Sequence, residues 1–453
     1  MGSTVSVLES GQVARDDVDP GLVGAFLAER TVHRRNAGFE ARRQRALRRF
    51  LDHTLPRAPY YAALAARTGR DRLDLADLPV VDKRTVLGDF AAFNTRGITL
   101  TEALAVAEAA ERSRDFSPTL PDGTTVGLSS GTSGTRGVFL VSPAESRRWA
   151  GILLGQLIAP TSLRTLARRP LRIALFLRAD SNLYRTLGSS RVRFSWHDLA
   201  VPLEQHVAAL PGTDVIVAPA GVLRRLAELS ADAPGRVRPL QVVSVAETLE
   251  PDDETMIAAA FGCRVEQVYQ ATEGLLAVSC PAGRLHLNEA HLHVEPEWLD
   301  HRRFHPVITD FTRTTQLVVR HRLDDVLLAA PGPCPCGRPG RSITGILGRA
   351  DDVLHLRRNG GAAGTPVPVY PDVLRHAVAL AGDLGDYRIE QHGTQWRLAT
   401  RPGRADAATV SAVGREVAVL AARLDAEPPE LVAMDWPGED PTAKRRRIRR
   451  VSG

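Results

Sequence analysis

The chain has 453 residues, of which 43% are hydrophobic and 24% are charged. This balance is typical of a folded globular protein and excludes a disordered or fibrous chain, and the length allows one or two domains. No stretch approaches the ~18 apolar residues that span a bilayer, and residues 1–20 lack the basic start and apolar run of a signal peptide. We therefore expect a cytoplasmic protein with no membrane partner.

The net charge of +6 is carried almost entirely by arginine, because among 58 Lys and Arg residues only Lys83 and Lys444 are lysine. The one dense cationic run covers residues 444–450. Nucleic-acid binding usually combines clustered cations with aromatic side chains, whereas only 5% of the residues are aromatic, so no nucleic-acid partner is expected. A lysine kept where arginine is otherwise preferred suits a compact ammonium placed against a phosphate or carboxylate.

The sequence changes character along its length. Residues 21–70 carry apolar positions at helical spacing and predict a pair of amphipathic helices that end at Pro56 and Pro59, and residues 101–114 predict a further helix. From 120 to 350, short apolar runs alternate with helical segments. Strand followed by helix, repeated, predicts an α/β fold with a mostly parallel sheet.

The last hundred residues predict a small separate domain. They contain a helix, a strand pair, a second helix and a basic tail, which is an α+β pattern. The predicted architecture is therefore α/β, with a large N-terminal domain of mostly parallel sheets and flanking helices over 1–348, helical at about 1–115. A small mobile α+β C-terminal lid domain follows over 349–453.

A loop rich in glycine and hydroxyl residues, LSSGTSGTRG, covers residues 128–137 and follows a short strand-like run. Glycines let the backbone approach a ligand, and hydroxyl and N–H groups can bind phosphate oxygens. The GK[ST] ending of a Walker A loop is missing, and composition alone leaves a flexible surface turn as an equal alternative. The candidate phosphate-binding residues are Ser129, Ser130, Gly131, Thr132, Ser133, Gly134 and Thr135.

Five further segments follow this loop: residues 244–248 (SVAET), 269–274 (YQATEG), 320–325 (RHRLDD), 348–352 (GRADD) and 441–445 (PTAKR). In order and spacing, the six segments resemble the motifs of the adenylate-forming superfamily, which contains acyl- and aryl-CoA ligases, peptide-synthetase adenylation domains and luciferases. The resemblance covers nearly the whole chain. Because each motif alone is weak, their common order is what makes the resemblance specific.

The resemblance implies a site for ATP and Mg²⁺. Thr272 would touch the α-phosphate and Glu273 would hold Mg²⁺, whereas Asp325 would bind the ribose hydroxyls and Arg349 would lie near the ribose or a phosphate. The segment 244–248 would border the adenine. The remaining residues implied in cofactor binding are Ala246, Glu247, Thr248, Tyr269 and Gln270.

The resemblance also implies a catalytic lysine on the lid. Lys444 would neutralise charge between the carboxylate and the α-phosphate, and Asp351 would be the hinge about which the lid turns. Ala443 stands where the family usually has glycine, and the alternative for Lys444 is one more solvated cation of a basic tail. By its position in the family, the segment 176–194 would border the acid, and its candidate substrate residues are Asn182 and Tyr184.

Within the superfamily the chain resembles the branch of phenylacetate-CoA ligases and coenzyme F390 synthetases. Four segments carry this narrower resemblance, namely residues 81–83 (VDK), 93–99 (FNTRGIT), 334–338 (CPCGR) and 367–371 (VPVYP). It implies an aryl acid as substrate.

All four cysteines lie between residues 263 and 336, and disulfides are not expected without a secretory signal. Three sulfurs and one imidazole would complete a tetrahedral, structural zinc site. Its predicted ligands are Cys280, His286, Cys334 and Cys336, while His291, His293 and Cys263 are alternatives, as are cysteines that bind no metal.

These observations predict an ATP-dependent enzyme that converts a carboxylic acid to its acyl-adenylate and passes the acyl group on. The acceptor is expected to be CoA, an amine or a carrier-protein thiol. Two alternatives stay open: AMP transfer to a hydroxyl of a cofactor-like small molecule, and a non-catalytic protein that binds a nucleotide or RNA through the basic tail.

Overall fold

The computed structural model describes residues 19–70, 72–129, 136–177, 190–199, 201–231, 237–360, 366–401, 403–438 and 445–451. The chain divides into two compact units. The large unit comprises Met1–Leu323 and Ala329–Thr344, and the small unit comprises Asp324–Leu328 and Gly345–Gly453. The boundary after Gly348 and the mobility of the small domain stay predictions.

The helices of the large unit, within the described residues, are α1 (Pro20–Ala28), α2 (Phe39–His53), α3 (Pro59–Thr68), α4 (Lys83–Gly88), α5 (Leu100–Ser113), α6 (Pro143–Leu157), α7 (Pro160–Arg168), α8 (Leu203–Val207), α9 (Ala220–Ala231) and α10 (Pro251–Phe261). A π-helical turn, Glu29–His33, continues α1, and short 3-10 turns cover Leu55–Arg57 and Leu75–Asp77.

The strands up to the end of the large unit are β1 (Thr125–Leu128), β2 (Val138–Val141), β3 (Leu171–Leu177), β4 (Val192–Asp198), β5 (Val215–Pro219), β6 (Gln241–Val245), β7 (Val265–Ala271), β8 (Gly274–Ser279), β9 (Leu285–Leu287), β10 (Leu292–Trp298), β11 (Arg303–Asp310) and β12 (His321–Arg322). β13 (Asp325–Ala329) and β14 (Ser342–Arg349) follow where the chain passes between the units.

Proline marks helix starts in this chain, and this corrects one expectation. Pro59 was predicted to end a helix, but it is the first residue of α3. The missing N–H of proline costs nothing at that position and its fixed φ fits the first turn. Pro143 and Pro251 begin α6 and α10 in the same way. Ser142 adds a capping box with Glu145 at the start of α6.

The centre of the large unit is a parallel sheet with the strand order β4-β3-β5-β6-β7, continued by β8 and β9 in antiparallel pairing. Both faces of the sheet are covered. Val243 packs with residues of α6 and α7 on one face, and its neighbour Val242 packs with residues of α9 and α10 on the other. The predicted α/β class with flanking helices is confirmed.

Two glycines of α6 allow α1 to pack closely against it. A Cβ atom at Gly151 would lie 2.4 Å from the backbone oxygen of Leu22, and one at Gly155 would lie 2.7 Å from the Cβ of Glu29. These contacts leave no room for a side chain at either position. Glycine at 151 and 155 therefore allows the close approach of the two helices.

The small unit contains a four-stranded sheet with the order β19-β18-β17-β20, formed by β17 (Tyr387–His392), β18 (Gln395–Thr400), β19 (Glu430–Ala433) and β20 (Ile448–Val451). The predicted strand pair is β17 and β18. The helices α11 (Pro371–Ala381) and α12 (Ala407–Arg423) pack on this sheet around the fully buried Trp396, and β15 (Leu354–Leu356) pairs with β16 (Val367–Val369). The run predicted as a basic tail instead contributes β20, which pairs with β17 in parallel.

Within the described parts of the chain, no helix is long and apolar enough to cross a membrane.

Candidate functional site

The base of the Ser/Gly loop is closed by hydrogen bonds between its two ends. β1 and β2 form an antiparallel hairpin in which Leu128 lies opposite Val138. Just beyond this pair, the Ser129 N–H donates to the carbonyl of Gly137 at 2.8 Å, and the Gly137 N–H donates to Ser129 Oγ at 2.6 Å. Of the predicted phosphate-binding residues, Ser130, Gly131, Thr132, Ser133, Gly134 and Thr135 lie outside the described residues.

Arg136 anchors the loop to α5. Its Nε donates to the Ser129 carbonyl at 3.1 Å, and its guanidinium forms a two-fold ion pair with Glu111, one bond of which is 2.7 Å. Hydrogen bonding to Arg136 holds the pKa of Glu111 below its usual range. The Arg136 side chain thereby fixes the base of the loop.

Gly137 is enclosed by three side chains from distant parts of the sequence. A Cβ at this position would lie 3.2 Å from Lys83 Cε, 3.3 Å from Ser129 Oγ and 3.4 Å from Thr272 Oγ1. The absence of a side chain at Gly137 therefore lets a lysine, a serine and a threonine converge at the loop base.

Lys83 is placed there by the start of α4. Asp82 caps this helix by accepting from the Thr85 N–H at 2.7 Å, and Val81 pairs through its backbone with Arg320 and Arg322. Sequence reasoning noted Lys83 only for the scarcity of lysine and for the VDK segment. Its proximity to Thr272 depends on a long-range contact that no local pattern encodes.

Thr272 and Glu273 form the turn between β7 and β8. Thr272 Oγ1 donates to Glu273 Oε2 at 2.8 Å, and the buried His321 has its Nε2 atom 3.7 Å from Glu273 Oε1. The Glu273 side chain is 16% exposed. Sequence reasoning also missed His321, although it lies within the segment 320–325. A hydroxyl and a carboxylate oxygen thus share one small turn, and oxygen donors of this kind suit Mg²⁺.

The segment after β6 lies at the same sheet edge. β6 and β7 are parallel with Val245 opposite Val268, so the carboxyl ends of both strands meet there, the usual ligand side of an open α/β sheet. Ala246 adopts a left-handed backbone with a φ of 64°, which is strained for alanine. Glu247 accepts from the Gly221 N–H at 2.9 Å.

The other predicted residues of this edge are also placed by β6 and β7. Thr248 follows Glu247 and is half-buried, Tyr269 is buried within β7, and Gln270 is half-buried next to a register shift between β7 and β8.

Asp325 and Arg349 lie together in the small unit. Arg349 Nε is 3.8 Å from Asp325 Oδ1, and the Arg349 N–H donates to Asp352 Oδ2 at 2.7 Å. Asp351 belongs to the 3-10 turn Ala350–Asp352.

Lys444 lies outside the described residues, as do Asn182 and Tyr184. The arginines that follow Lys444 are described and are paired with acids or histidine of the same unit. The pairs are Arg445 with Asp386, Arg446 with Asp352, Arg449 with Glu390 and Arg450 with His355.

Three cysteines and one histidine form a compact cluster in the large unit. The sulfur atoms of Cys280, Cys334 and Cys336 and one ring nitrogen of His286 all lie within 4.8 Å of one another. Cys280 Sγ is 3.5 Å from Cys334 Sγ, and Cys336 Sγ is 3.3 Å from His286 Nε2. Tetrahedral zinc with bonds of about 2.3 Å to sulfur and 2.0 Å to nitrogen requires ligand separations of about 3.5–3.8 Å, so the donor set and its spacing fit zinc.

The alternative ligands have other partners. His291 Nε2 is 2.7 Å from Glu29 Oε2, and His293 Nδ1 accepts from Arg43 at 3.1 Å. Cys263 packs against the core on the α9 and α10 side of the sheet.

No family model matches the chain, and no curated protein matches it in sequence. Its fold is similar to solved structures of a 2-hydroxyisobutyryl-CoA ligase. The structure in the postadenylation state with R3-HIB-AMP has a TM-score of 0.63 at 16% identity and covers 94% of this chain and 92% of that one. The structure in the thioesterification state with 2-HIB-AMP and CoA has a TM-score of 0.52 at 17% identity, covering 94% and 91%. At these identities the likeness shows the fold, that of the two-domain adenylate-forming ligases.

Proposed function

We propose that this chain, which has the fold of an adenylate-forming ligase, activates a carboxylic acid with ATP and then transfers the acyl group. The convergence of Lys83, Ser129 and Thr272 around Gly137 is the observation that carries the proposal. It joins a lysine and two hydroxyls to the base of a Ser/Gly loop, at the sheet edge where such folds bind nucleotides.

In this proposal the triphosphate of ATP lies over the loop, with backbone N–H groups of residues 130–134 and the ammonium of Lys83 facing phosphate oxygens. Thr272 faces the α-phosphate, and residues 246–248 with Tyr269 and Gln270 border the adenine. Asp325 and Arg349 take the ribose. Mg²⁺, when bound at Glu273, would neutralise phosphate charge.

The adenylation step forms one bond and breaks one bond. A carboxylate oxygen attacks the α-phosphorus, and the bond to the bridging oxygen breaks so that pyrophosphate leaves with the electron pair. Lys444 would face both the carboxylate and the α-phosphate, where a fixed positive charge lowers the barrier as negative charge builds up. In the second step a thiolate or amine attacks the acyl carbon and AMP leaves.

The lid is proposed to turn about Asp351 between these steps. For the substrate, we propose an aryl acid, as the resemblance to the phenylacetate-CoA ligase branch implies. CoA is the proposed acceptor, with an amine or a carrier-protein thiol as the other acceptor classes. Asn182 and Tyr184 stay candidate acid-pocket residues.

The ion pairs of the C-terminal arginines argue against the RNA-binding alternative. Arg445 and Arg446 are engaged by buried aspartates, and Arg449 is engaged by Glu390. A phosphate backbone would have to displace these internal carboxylates. We therefore favour adenylation.

Cys280, His286, Cys334 and Cys336 are proposed to hold a structural zinc ion. The ion would connect the turn after β8 to the loop that carries the CPCGR segment. The N–H of Arg338 donates to Cys336 Sγ at 3.4 Å, a contact that stabilises a thiolate in the tight turn after the CxC pair.

Pyrophosphate release over a panel of aryl and aliphatic acids, with and without CoA, tests the proposal when products are identified by mass spectrometry. We expect acid-dependent pyrophosphate release, and an acyl-CoA product when CoA is present. AMP joined to a hydroxyl compound, without any acyl-adenylate, would instead support nucleotidyl transfer. Loss of release in Lys444→Ala at unchanged melting temperature would support the lysine assignment, and near-wild-type release in that variant would remove it.

A further inference from the structure

Two aspartates of the small unit hold the residues that directly follow Lys444. The Arg445 side chain donates to Asp386 Oδ1 at 2.5 Å, and the Arg446 Nε donates to Asp352 Oδ1 at 2.6 Å. Asp352 and Asp386 are only 8% and 7% exposed. Charged hydrogen bonds in such buried positions are stronger than exposed ion pairs, so they can fix the backbone next to them.

Asp352 differs from Asp386 because its second oxygen binds the predicted hinge turn. Asp352 Oδ2 accepts from the Arg349 N–H at 2.7 Å. Gly348 has a φ of 123°, and a Cβ there would lie 2.6 Å from this same oxygen. Glycine is thus required next to Asp352 for the carboxylate to approach the turn.

We propose that Asp352 is a positioning residue for Lys444, because its carboxylate ties the lysine segment to the hinge turn. One oxygen holds the turn at Arg349 and the other holds Arg446, two residues after the lysine. A rotation of the hinge turn would then be passed to Arg446 and, through the chain, to the lysine two residues before it. This inference rests on the proposed function, since it gives Lys444 its task.

Positioning of this kind controls rate more than stability. A reacting group misplaced by about 1 Å can lose on the order of a hundredfold in rate. Without the carboxylate, Arg446 keeps its place in the chain but loses its tie to the turn. Lys444 would then reach the α-phosphate in a smaller fraction of molecules.

The pair Glu390–Arg449 supplies a matched control. Arg449 Nε and Nη2 donate to Glu390 Oε1 at 2.9 and 2.5 Å, and Glu390 is 6% exposed. Arg449 lies on β20, close to Arg446, and Glu390 lies on β17 and outside the hinge turn. Glu390→Gln therefore removes a comparable buried carboxylate that binds the same C-terminal segment.

The scarcity of lysine makes a direct measurement feasible. Acetylation with acetic anhydride, followed by peptide mass spectrometry, reads Lys83 and Lys444 separately in the full-length protein. We expect ATP with Mg²⁺ to slow acetylation of Lys444 in the wild type and in Glu390→Gln, and to have little effect at Lys444 in Asp352→Asn. Protection of Lys83 should persist in all three proteins.

Pyrophosphate release with the most active acid of the panel should fall about a hundredfold in Asp352→Asn, and melting temperature should change no more than in Glu390→Gln. Arg446→Gln, which leaves the bond to Arg349 intact, should reproduce both effects and serves if Asp352→Asn does not fold. Wild-type protection and wild-type rates in these variants would overturn the inference. Absence of ATP protection at both lysines of the wild type would instead contradict the proposed function.

Discussion

At the residue scale, Lys83 shows how a side chain can lie at a candidate site that is distant from it in the sequence. Its ammonium is carried on a helix of the N-terminal region, yet its Cε lies at the loop base beside Ser129 and Thr272. Lys83 is half-buried. A lysine ammonium near phosphate oxygens acts as a compact positive charge with three N–H donors. In the proposed function, Lys83 would share the binding of the triphosphate with the loop.

Lys83→Ala should weaken ATP binding about tenfold or more, because one charged hydrogen bond contributes about 1.5–3 kcal/mol. Lys83→Arg should recover this loss only in part, since a planar guanidinium presents its donors in a different geometry from a compact ammonium. Isothermal titration calorimetry with ATP and Mg²⁺ measures the effect. Unchanged affinity in Lys83→Ala would mean that the lysine has a structural role only.

His197 predicts a pH-dependent stability at the edge strand β4. It stacks on Phe176 at 4.5 Å, and its Nδ1 is 3.1 Å from the Nδ1 of His206. Burial, with a smaller effect of His206, lowers the pKa of His197 from 6.5 to about 4. Since the folded state binds this proton less readily than the unfolded state, the stability is complete above pH 6.5 and falls as the pH drops towards 4.

The free energy of unfolding should fall by at most about 3 kcal/mol between pH 6.5 and pH 4, because one pKa unit corresponds to about 1.4 kcal/mol. Urea unfolding of the wild type and of His197→Gln at pH 7 and pH 4.5 provides the measurement. We expect the variant to be less stable than the wild type at pH 7 but to lose less stability on acidification. An equal loss in both proteins would assign the acid sensitivity to other groups.

At the element scale, the cysteine cluster joins the β8–β9 pair to a loop that is otherwise held by few contacts, among them the hydrogen bonds from Arg284 to the Gly332 and Pro333 carbonyls. Cys280 directly follows β8, His286 lies on β9, and Cys334 and Cys336 belong to a loop without strand or helix. Irregular segments of this kind bury few apolar groups, so a metal can supply a large part of their order.

Purified protein should contain about one zinc ion per chain, and a Cys334→Ser/Cys336→Ser double variant should contain none. The melting temperature of this variant should fall by several degrees, because the zinc bonds between the two segments are lost, whereas Cys263→Ser should keep both zinc and melting temperature. Elemental analysis with calorimetry distinguishes the variants. If the purified wild-type protein contained no zinc and were as stable as the double variant, the zinc prediction would be wrong.

At the scale of helices and strands, some elements were predicted from the sequence and others were not. The alternation of apolar runs and helices correctly predicted strands such as Val215–Pro219 and helices such as Pro251–Phe261, because burial on both faces of a parallel sheet leaves a continuous local signal. Pro59 was misread because a proline can either follow the end of a helix or begin the next helix, and here it begins α3. The strand Ile448–Val451 was missed because the arginines of the run 445–450 resemble a solvated tail, and their partners lie about 60–95 residues away.

At the scale of the whole molecule, the C-terminal arginines are part of the small unit rather than an appendage to it. β20 is an edge strand whose Ile448 is buried in the core of that unit, and its pairing with β17 completes the four-stranded sheet. A chain that ends at residue 443 would leave Asp352, Asp386 and Glu390 without these guanidinium partners. Each buried carboxylate that loses its partner costs about 3–5 kcal/mol, which is a large part of the stability of a domain of this size.

Truncation after residue 443 should therefore unfold the small unit and stop pyrophosphate release, while the large unit keeps its own cooperative transition and still binds ATP with reduced affinity. Lys444→Ala, in contrast, should stop pyrophosphate release with both units folded. Differential scanning calorimetry together with ATP titration distinguishes these outcomes. If the truncated chain instead kept its pyrophosphate release and lost a salt-sensitive affinity for single-stranded RNA, the arginines would serve a nucleic acid and not the fold of the lid.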